Sequence, residues 1–279
     1  MGGNLPGPKS RLLPTSVSGR ADFSLAQWAK RLGRPAGDLA ERGTWWKNTF
    51  DPAVGYQRTR KADGTWQPGF TPSTDVGFAQ GSSATYTWMV PQGRLRTGSG
   101  DERQRSTAGR FFHDDAGNWA VKGGSALRYD PTNEPGLHTP WLYNGLGVAW
   151  KTQATTREIV DTVYGIGPSG LPGNADLGSL SACVFAASGC SRRRRAGRRC
   201  WSGVPCCRKF ELRRSNGVRL TVEAPGTSYA NQYVQSLTLN GKPRAEPWLP
   251  ESFITRGGRI SARMGAAPSN WGTAPVDHY

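Results

Sequence analysis

A chain of 279 residues with 37 Gly, 20 Pro and 11 Trp, 36% of it hydrophobic, is long enough for one large core or two modest ones, and its composition suits a loop-rich globular protein rather than a coiled coil or a disordered tail. Its 36 Lys and Arg against 20 Asp and Glu give a formal charge of +16, which raises a nucleic-acid or anionic-membrane partner as a first reading. No run approaches the roughly 20 apolar residues that cross a bilayer, and the start, Met1-Gly2-Gly3-Asn4-Leu5-Pro6, lacks the basic and apolar regions of an export signal, so neither a membrane span nor export of the chain as written is expected. Pro6 stands where myristoylation wants Ser or Thr. The tryptophans fit two uses, stacking on the flat C–H faces of sugar rings and filling a core, and composition leaves both open.

In chain order, residues 1–20 are expected to be a disordered lead-in. Asp22 reads as the N-cap of an amphipathic helix whose Phe23, Leu25, Ala26, Trp28, Ala29 and Leu32 recur at helical spacing up to Gly33. A second helix is predicted over 37–50, ended by Asp51-Pro52 because the residue before proline disfavours the α region. The Gly, Pro, Thr and Asp residues of 51–81 predict long loops, which on a helical scaffold often line sites. Leu137, Trp141, Leu142, Leu146 and Val148 suggest one helix, Ile159, Val160, Val163 and Tyr164 another over 155–164, and a third follows the loop 165–174 from about Asp176. From Phe210 the period changes to alternation. Phe210 and Leu212, then Val218, Leu220 and Val222, then Val234, Leu237 and Leu239 read as strands, with Asn216-Gly217 and Asn240-Gly241 as hairpin turns. The expected fold is mainly α up to about residue 190, followed by a small C-terminal β segment.

The charge is unevenly placed. Between Gly93 and Arg110 five Arg face Asp101 and Glu102, and between Cys190 and Arg214 nine Arg and Lys209 face Glu211 alone, so these two windows hold twelve of the sixteen net charges. All five cysteines, Cys183, Cys190, Cys200, Cys206 and Cys207, lie in or beside the second window. Their spacing, with no His nearby, does not match the paired Cys-x2-4-Cys of zinc sites. The run Arg192 to Arg199 is open to three readings: a phosphate-binding or nuclear-localisation patch, a solvated loop, or the product of a shifted reading frame in a GC-rich gene.

Six strings carry a resemblance: Trp46-Lys47-Asn48-Thr49-Phe50-Asp51-Pro52; Tyr86-Thr87-Trp88-Met89-Val90-Pro91-Gln92; Asn133-Glu134-Pro135-Gly136-Leu137-His138-Thr139-Pro140-Trp141-Leu142-Tyr143-Asn144; Trp150-Lys151-Thr152-Gln153; Gly170-Leu171-Pro172-Gly173-Asn174-Ala175-Asp176-Leu177-Gly178; and Tyr233-Val234-Gln235-Ser236-Leu237-Thr238-Leu239-Asn240-Gly241. Taken in this order, they resemble glycoside hydrolase family 92, the calcium-dependent exo-α-mannosidases. The resemblance implies a partial (α/α)6 toroid over 21–207, with 208–279 as a C-terminal β-rich segment of the same catalytic region. It also implies inverting hydrolysis of terminal α-1,2-linked mannose, a mannose-containing glycan as partner, a bound calcium, and no nucleic acid. Full-length members are much longer and carry an N-terminal β-sandwich domain, which leaves this chain matched to their C-terminal part. Similarity is lost over 93–110, resumes at Phe111-Phe112, is lost again over 190–207 and rejoins at Arg208-Lys209-Phe210, the pattern that paired frameshifts produce.

An inverting glycosidase needs a carboxylic acid to protonate the leaving oxygen and a carboxylate to activate water on the opposite face. By resemblance the acid's position is held by Gln80, whose amide cannot deliver a proton. Asp176 is the candidate base, and Ala175 stands where the family has a neighbouring carboxylate. Asn133 and Glu134 match the residues that hold calcium, a hard cation served by oxygen ligands. Trp88, His138 and Trp141 are candidates for lining the mannose pocket, with core packing as the alternative for each. Two further readings are an inactive mannoside-binding relative and, from another class, an Arg-rich polyanion binder with steep salt dependence.

Overall fold

The computed structural model describes residues 12–90, 102–121, 127–182, 199–201, 205 and 207–273. They fall into two units, drawn from Met1–Thr97 with Gly109–Gly136 and from Gly98–Ala108 with Leu137–Tyr279.

The first unit begins with α1 (Leu12–Arg31). This helix starts well before Asp22, inside the stretch expected to lack order, so Asp22 is not an N-cap. Its buried carboxylate instead accepts from Arg42 Nε at 3.0 Å. The helix expected over 37–50 is broken into α2 (Leu39–Arg42) and a 3-10 turn, Trp45–Asn48. Gly43 separates them for a packing reason: a Cβ there would sit 3.0 Å from Cα and Cβ of Phe23, so α2 approaches α1 through a residue without a side chain. Strands β1 (Phe50–Asp51) and β2 (Tyr56–Gln57) form a short antiparallel pair. Further along, Arg60 pairs with Trp66 in an isolated bridge, so the expected long loop carries local β structure. Helix α3 (Ser83–Trp88) follows and is buried along its whole length.

Helix α4 (Glu102–Phe112) occupies the later part of the first charged window, with Arg110 in its last turn, where the helix dipole favours a cation. At its end Phe111 and Phe112 pack on Tyr129, with ring centroids 5.9 and 5.0 Å away. This stretch is therefore helical despite its lost resemblance.

In the second unit the helix expected from Leu137 is a 3-10 turn, Thr139–Trp141, continuing into α5 (Leu142–Gly145). The next, α6 (Ala149–Val163), is longer than its sequence pattern marked. At Asp176–Gly178 the expected helix starts as a 3-10 turn interrupted by a left-handed Leu177. In the second charged window β3 (Arg199–Trp201) is paired, and Cys207 is a free thiol, whereas Cys183, Cys190, Cys206 and most of the Arg run lie outside the described residues.

The C-terminal strands are β4 (Lys209–Arg213), β5 (Arg219–Glu223), β6 (Tyr233–Leu239), β7 (Lys242–Arg244), β8 (Trp248–Pro250) and β9 (Gly258–Gly265), with α7 (Glu251–Arg256) between the last two. β3 pairs antiparallel with β8. Five strands form a sheet in the order β4-β5-β9-β6-β7, antiparallel except for β5 with β9. Both expected turns are present; Asn240 and Gly241 are left-handed at φ 52° and 79°, as the I′ turn requires, whereas in the first turn Gly217 alone, at 79°, is left-handed. Alternation sends Leu220 and Val222 of β5 inward, and an irregularity between Val234 and Ser236 of β6 brings Val234 and Leu237, three residues apart, into the same core with Ile260, Phe253 and Trp271. Each such aliphatic residue contributes about 1.5–3 kcal/mol on full burial. Gln153 of α6 ties the helix to this sheet by accepting the Val234 N–H at 2.8 Å.

Candidate active site

The chain enters α3 through a constrained turn. Ser82 is its N-cap and accepts the Thr85 N–H at 3.4 Å. Gln80, just before, has φ 45°, an uncommon left-handed conformation for a residue with a side chain and of the kind that clusters at functional sites. Two bonds hold it there. Asn133 Nδ2 donates to the Gln80 carbonyl at 2.9 Å, and Gln80 Nε2 donates to Glu134 Oε2 at 3.1 Å. Glu134 opens the 3-10 turn Glu134–Gly136, and this turn closes as Gly136 N–H bonds Asn133 O at 3.1 Å. The other oxygen of Asn133, Oδ1, is buried with no hydrogen-bond partner. A buried amide oxygen without a donor calls for a ligand or an ordered water.

Thus Gln80, Asn133 and Glu134, 53 and 54 residues apart in sequence, meet in one unit. Trp88 lies at the far end of α3 and is only 1% exposed, so its ring is enclosed by protein. In the other unit His138 and Trp141 are also buried, at 6% and 1% exposure. These burials favour packing over open stacking faces for all three. Burial also pushes the hydroxyl of the nearby Tyr143 well above the usual phenol range. Asp176 is exposed, in a strained turn: Ala175 and Leu177 on either side have φ 54° and 52°, and the Leu177 side chain stands fully in solvent. Among the described residues no three His, Cys, Asp or Glu side chains come together as a metal cluster.

Sequence reasoning missed the frame behind Gln80. Asp51, read only as a helix stop, is buried and accepts from Arg58 Nη1 at 2.7 Å and from the Ala53 N–H at 2.9 Å. Burial opposes its charge, yet these bonds and the Arg58 cation outweigh it and hold the carboxyl below its ordinary range. The Arg58 guanidinium lies over Phe70 at 4.8 Å. Gln57, 1% exposed, accepts from Thr49 Oγ1 at 2.6 Å. The sequence signal for this frame was that Thr49 and Asp51 fall within the first family-like string; Gln57 and Arg58 carried none.

Residues 15–266 match the model of the glycosyl hydrolase family 92 catalytic domain. An uncharacterized secreted glycosidase of Arthroderma benhamiae is 28% identical over 152 residues, which is 52% of this chain and 19% of that protein. The family GH92 α-mannosidase BT3965 of Bacteroides thetaiotaomicron is 31% identical at a TM-score of 0.78, covering 90% of this chain and 34% of that one. It has also been solved in complex with mannoimidazole. The GH92 inverting mannosidase BT2199 of Bacteroides thetaiotaomicron VPI-5482 is 26% identical at a TM-score of 0.79, covering 93% of this chain and 38% of that one. The chain thus spans little more than a third of these solved structures. With the family model over nearly its whole length and these likenesses in fold, the chain belongs to glycosyl hydrolase family 92.

Proposed function

We propose that this chain carries part of the site of an inverting, calcium-dependent exo-α-mannosidase acting on terminal α-1,2-linked mannose of glycans, within a partial (α/α)6 toroid. With Gln80 at the acid's position, it binds such mannosides and turns them over slowly or not at all. The observation that carries this reading is the Gln80 amide donating to Glu134. A group whose N–H is engaged with a carboxylate, and which has no acidic proton, cannot protonate a leaving oxygen.

Asn133 and Glu134 fit a calcium ion by their chemistry: one buried amide oxygen lacks a donor, and a carboxylate stands beside it. Calcium bound there would supply charge that helps to distort the mannose. Asp176, exposed, is the group we assign to take the proton of the attacking water, and Ala175 withholds the second carboxylate. By the family resemblance Trp88 in one unit and His138 and Trp141 in the other are assigned to contacts with the mannose, and each is buried. The two out-of-frame windows and the division of the catalytic region at residue 207 remain part of this reading. For place of action, among the described residues no helix is long and apolar enough to cross a membrane, and one relative is described as secreted.

The test is release of free mannose from an α-1,2-linked mannobiose with calcium present. A positioned general acid contributes about 10² to 10⁴-fold, so the chain as written should fall below a frame-corrected Gln80→Glu/Ala175→Asp version by at least that factor. Gln80→Glu alone should restore only part of it. Ready turnover by the unmodified chain would show that position 80 is not the acid.

A further inference from the structure

Strand β2 has a backbone edge that no strand among the described residues covers. The N–H and C=O of Gln57 are met instead by two hydroxyls of α3: Thr87 Oγ1 accepts the N–H at 2.9 Å, and Ser83 Oγ donates to the carbonyl at 2.6 Å. Ser83 and Thr87 are four residues apart, on one face of the helix. Thr87 Oγ1 also donates to the Ser83 carbonyl at 2.8 Å, so the hydroxyl is used both ways. Gln57, Ser83 and Thr87 are each at most 1% exposed. At the helix start, the N–H groups of Ser83 and Ala84 bond the carbonyls of Thr74 and Pro72, each at 2.9 Å. From this anchored turn the chain runs back through Ser82 and through Gly81, where a Cβ would meet Thr85 Cβ at 3.3 Å, to the left-handed Gln80.

We propose that Ser83 and Thr87 are positioning residues for position 80. Apolar packing against an edge strand fixes a helix's distance but only weakly its rotation and its height along the strand. A hydroxyl bonded to a buried N–H and another bonded to the neighbouring C=O fix both, because each unmade bond would leave a buried polar group without a partner. The register of α3 on β2 thereby sets where the residue-80 side chain reaches, and so its contact with Glu134. The importance of position 80 rests on the function proposed above; the geometry of the clasp does not.

The experiment reads the Gln80 side-chain amide by nitrogen–proton correlation spectroscopy, assigned by its loss in Gln80→Glu. Glu134→Ala supplies its shift without the acceptor. In Thr87→Val the resonance should move at least half of the way to that shift while resonances of the five-stranded sheet stay in place, and Thr87→Ser, which keeps the hydroxyl, should return it. A folded Thr87→Val with the Gln80 resonance unmoved overturns the proposal and leaves the hydroxyls a purely structural role. Should Thr87→Val not fold, Ser83→Ala is read by the same criterion. Should neither fold, native-state hydrogen exchange on the unmodified chain decides. The Gln57 N–H and the Ser82 to Thr85 amides must then open with one denaturant dependence, and separate opening overturns the clasp. Mannose release enters none of these readouts, so a failed mannosidase assignment is distinguishable from a failed clasp.

Discussion

At position 80 one atom changes the chemistry. A glutamate there would set a second carboxyl beside Glu134, and two carboxyls so close retain a proton between them, whereas the amide donates to Glu134 at 3.1 Å and has no proton to give up. The calcium binding we propose at Asn133 and Glu134 calls for oxygen ligands rather than thiolates. Calorimetry should therefore find calcium affinity lost in Glu134→Ala and retained in Cys207→Ser; equal affinity in Glu134→Ala and the parent would remove the assignment. Ala175 presents a different residue-scale effect. Its φ of 54° brings Cβ against the carbonyl, a conformation that costs an L-residue about 1–2 kcal/mol. Ala175→Gly should raise stability to urea by about 1 kcal/mol once glycine's greater unfolded freedom is deducted. A fall in stability would mean that the turn is held by contacts of the Ala175 methyl.

Among elements, the β1–β2 pair depends on Asp51 and Arg58 more than on its own two-residue ladder. Asp51 has its carboxyl lowered below the ordinary value of 3.8 on folding, so its contribution is fully present above that value and is lost as pH falls through the lower folded value. Asp51→Asn should cost about 1.5–3 kcal/mol at neutral pH, the range for hydrogen bonds to charged groups. The gap between variant and parent in urea unfolding should narrow as the pH is taken below 3.8, and a constant gap would show that the charge is not what matters. The sheet behaves otherwise. Its inner face is apolar, while on its other face Glu211 pairs with Arg213 and Arg219, and Glu223 with Lys209 and Arg259. Exposed pairs of this kind contribute about 0–1 kcal/mol each, and burial of the inner face dominates.

For the whole molecule, the uneven charge asks for a genetic explanation as well as a physical one. Nine of sixteen net charges fall in the two windows where family resemblance is lost, 93–110 and 190–207, and both windows hold some ordered structure, α4 and β3. We expect the nucleotide sequence under residues 93–110 and 190–207 to encode family-like peptide in another frame. Translation of all frames checks this, and neither frame yielding an amphipathic helix or a Leu-Tyr-Pro type of string would exclude it.

The sequence by itself determined the family and the hairpins: ordered strings carry the family across stretches without resemblance, and Asn-Gly turns between apolar strands are decided within a few residues. It also brought Gln80, Asn133 and Glu134 into one hypothesis, through resemblance rather than periodicity. What only the tertiary structure decided were matters of partner. Asp22 left the N-cap because Arg42 was within reach, and the helix over 37–50 broke where Gly43 met Phe23. β9 entered the sheet between β5 and β6, a non-local pairing that no short-range pattern encodes. The rings of Trp88 and Trp141 turned inward, since apolar spacing marks a residue for burial or for a ligand alike and only the packed chain chooses between them. The hydroxyls of Ser83 and Thr87 had no sequence signature either, because their partner is the backbone of Gln57, and a backbone group becomes available only when the fold leaves a strand edge uncovered.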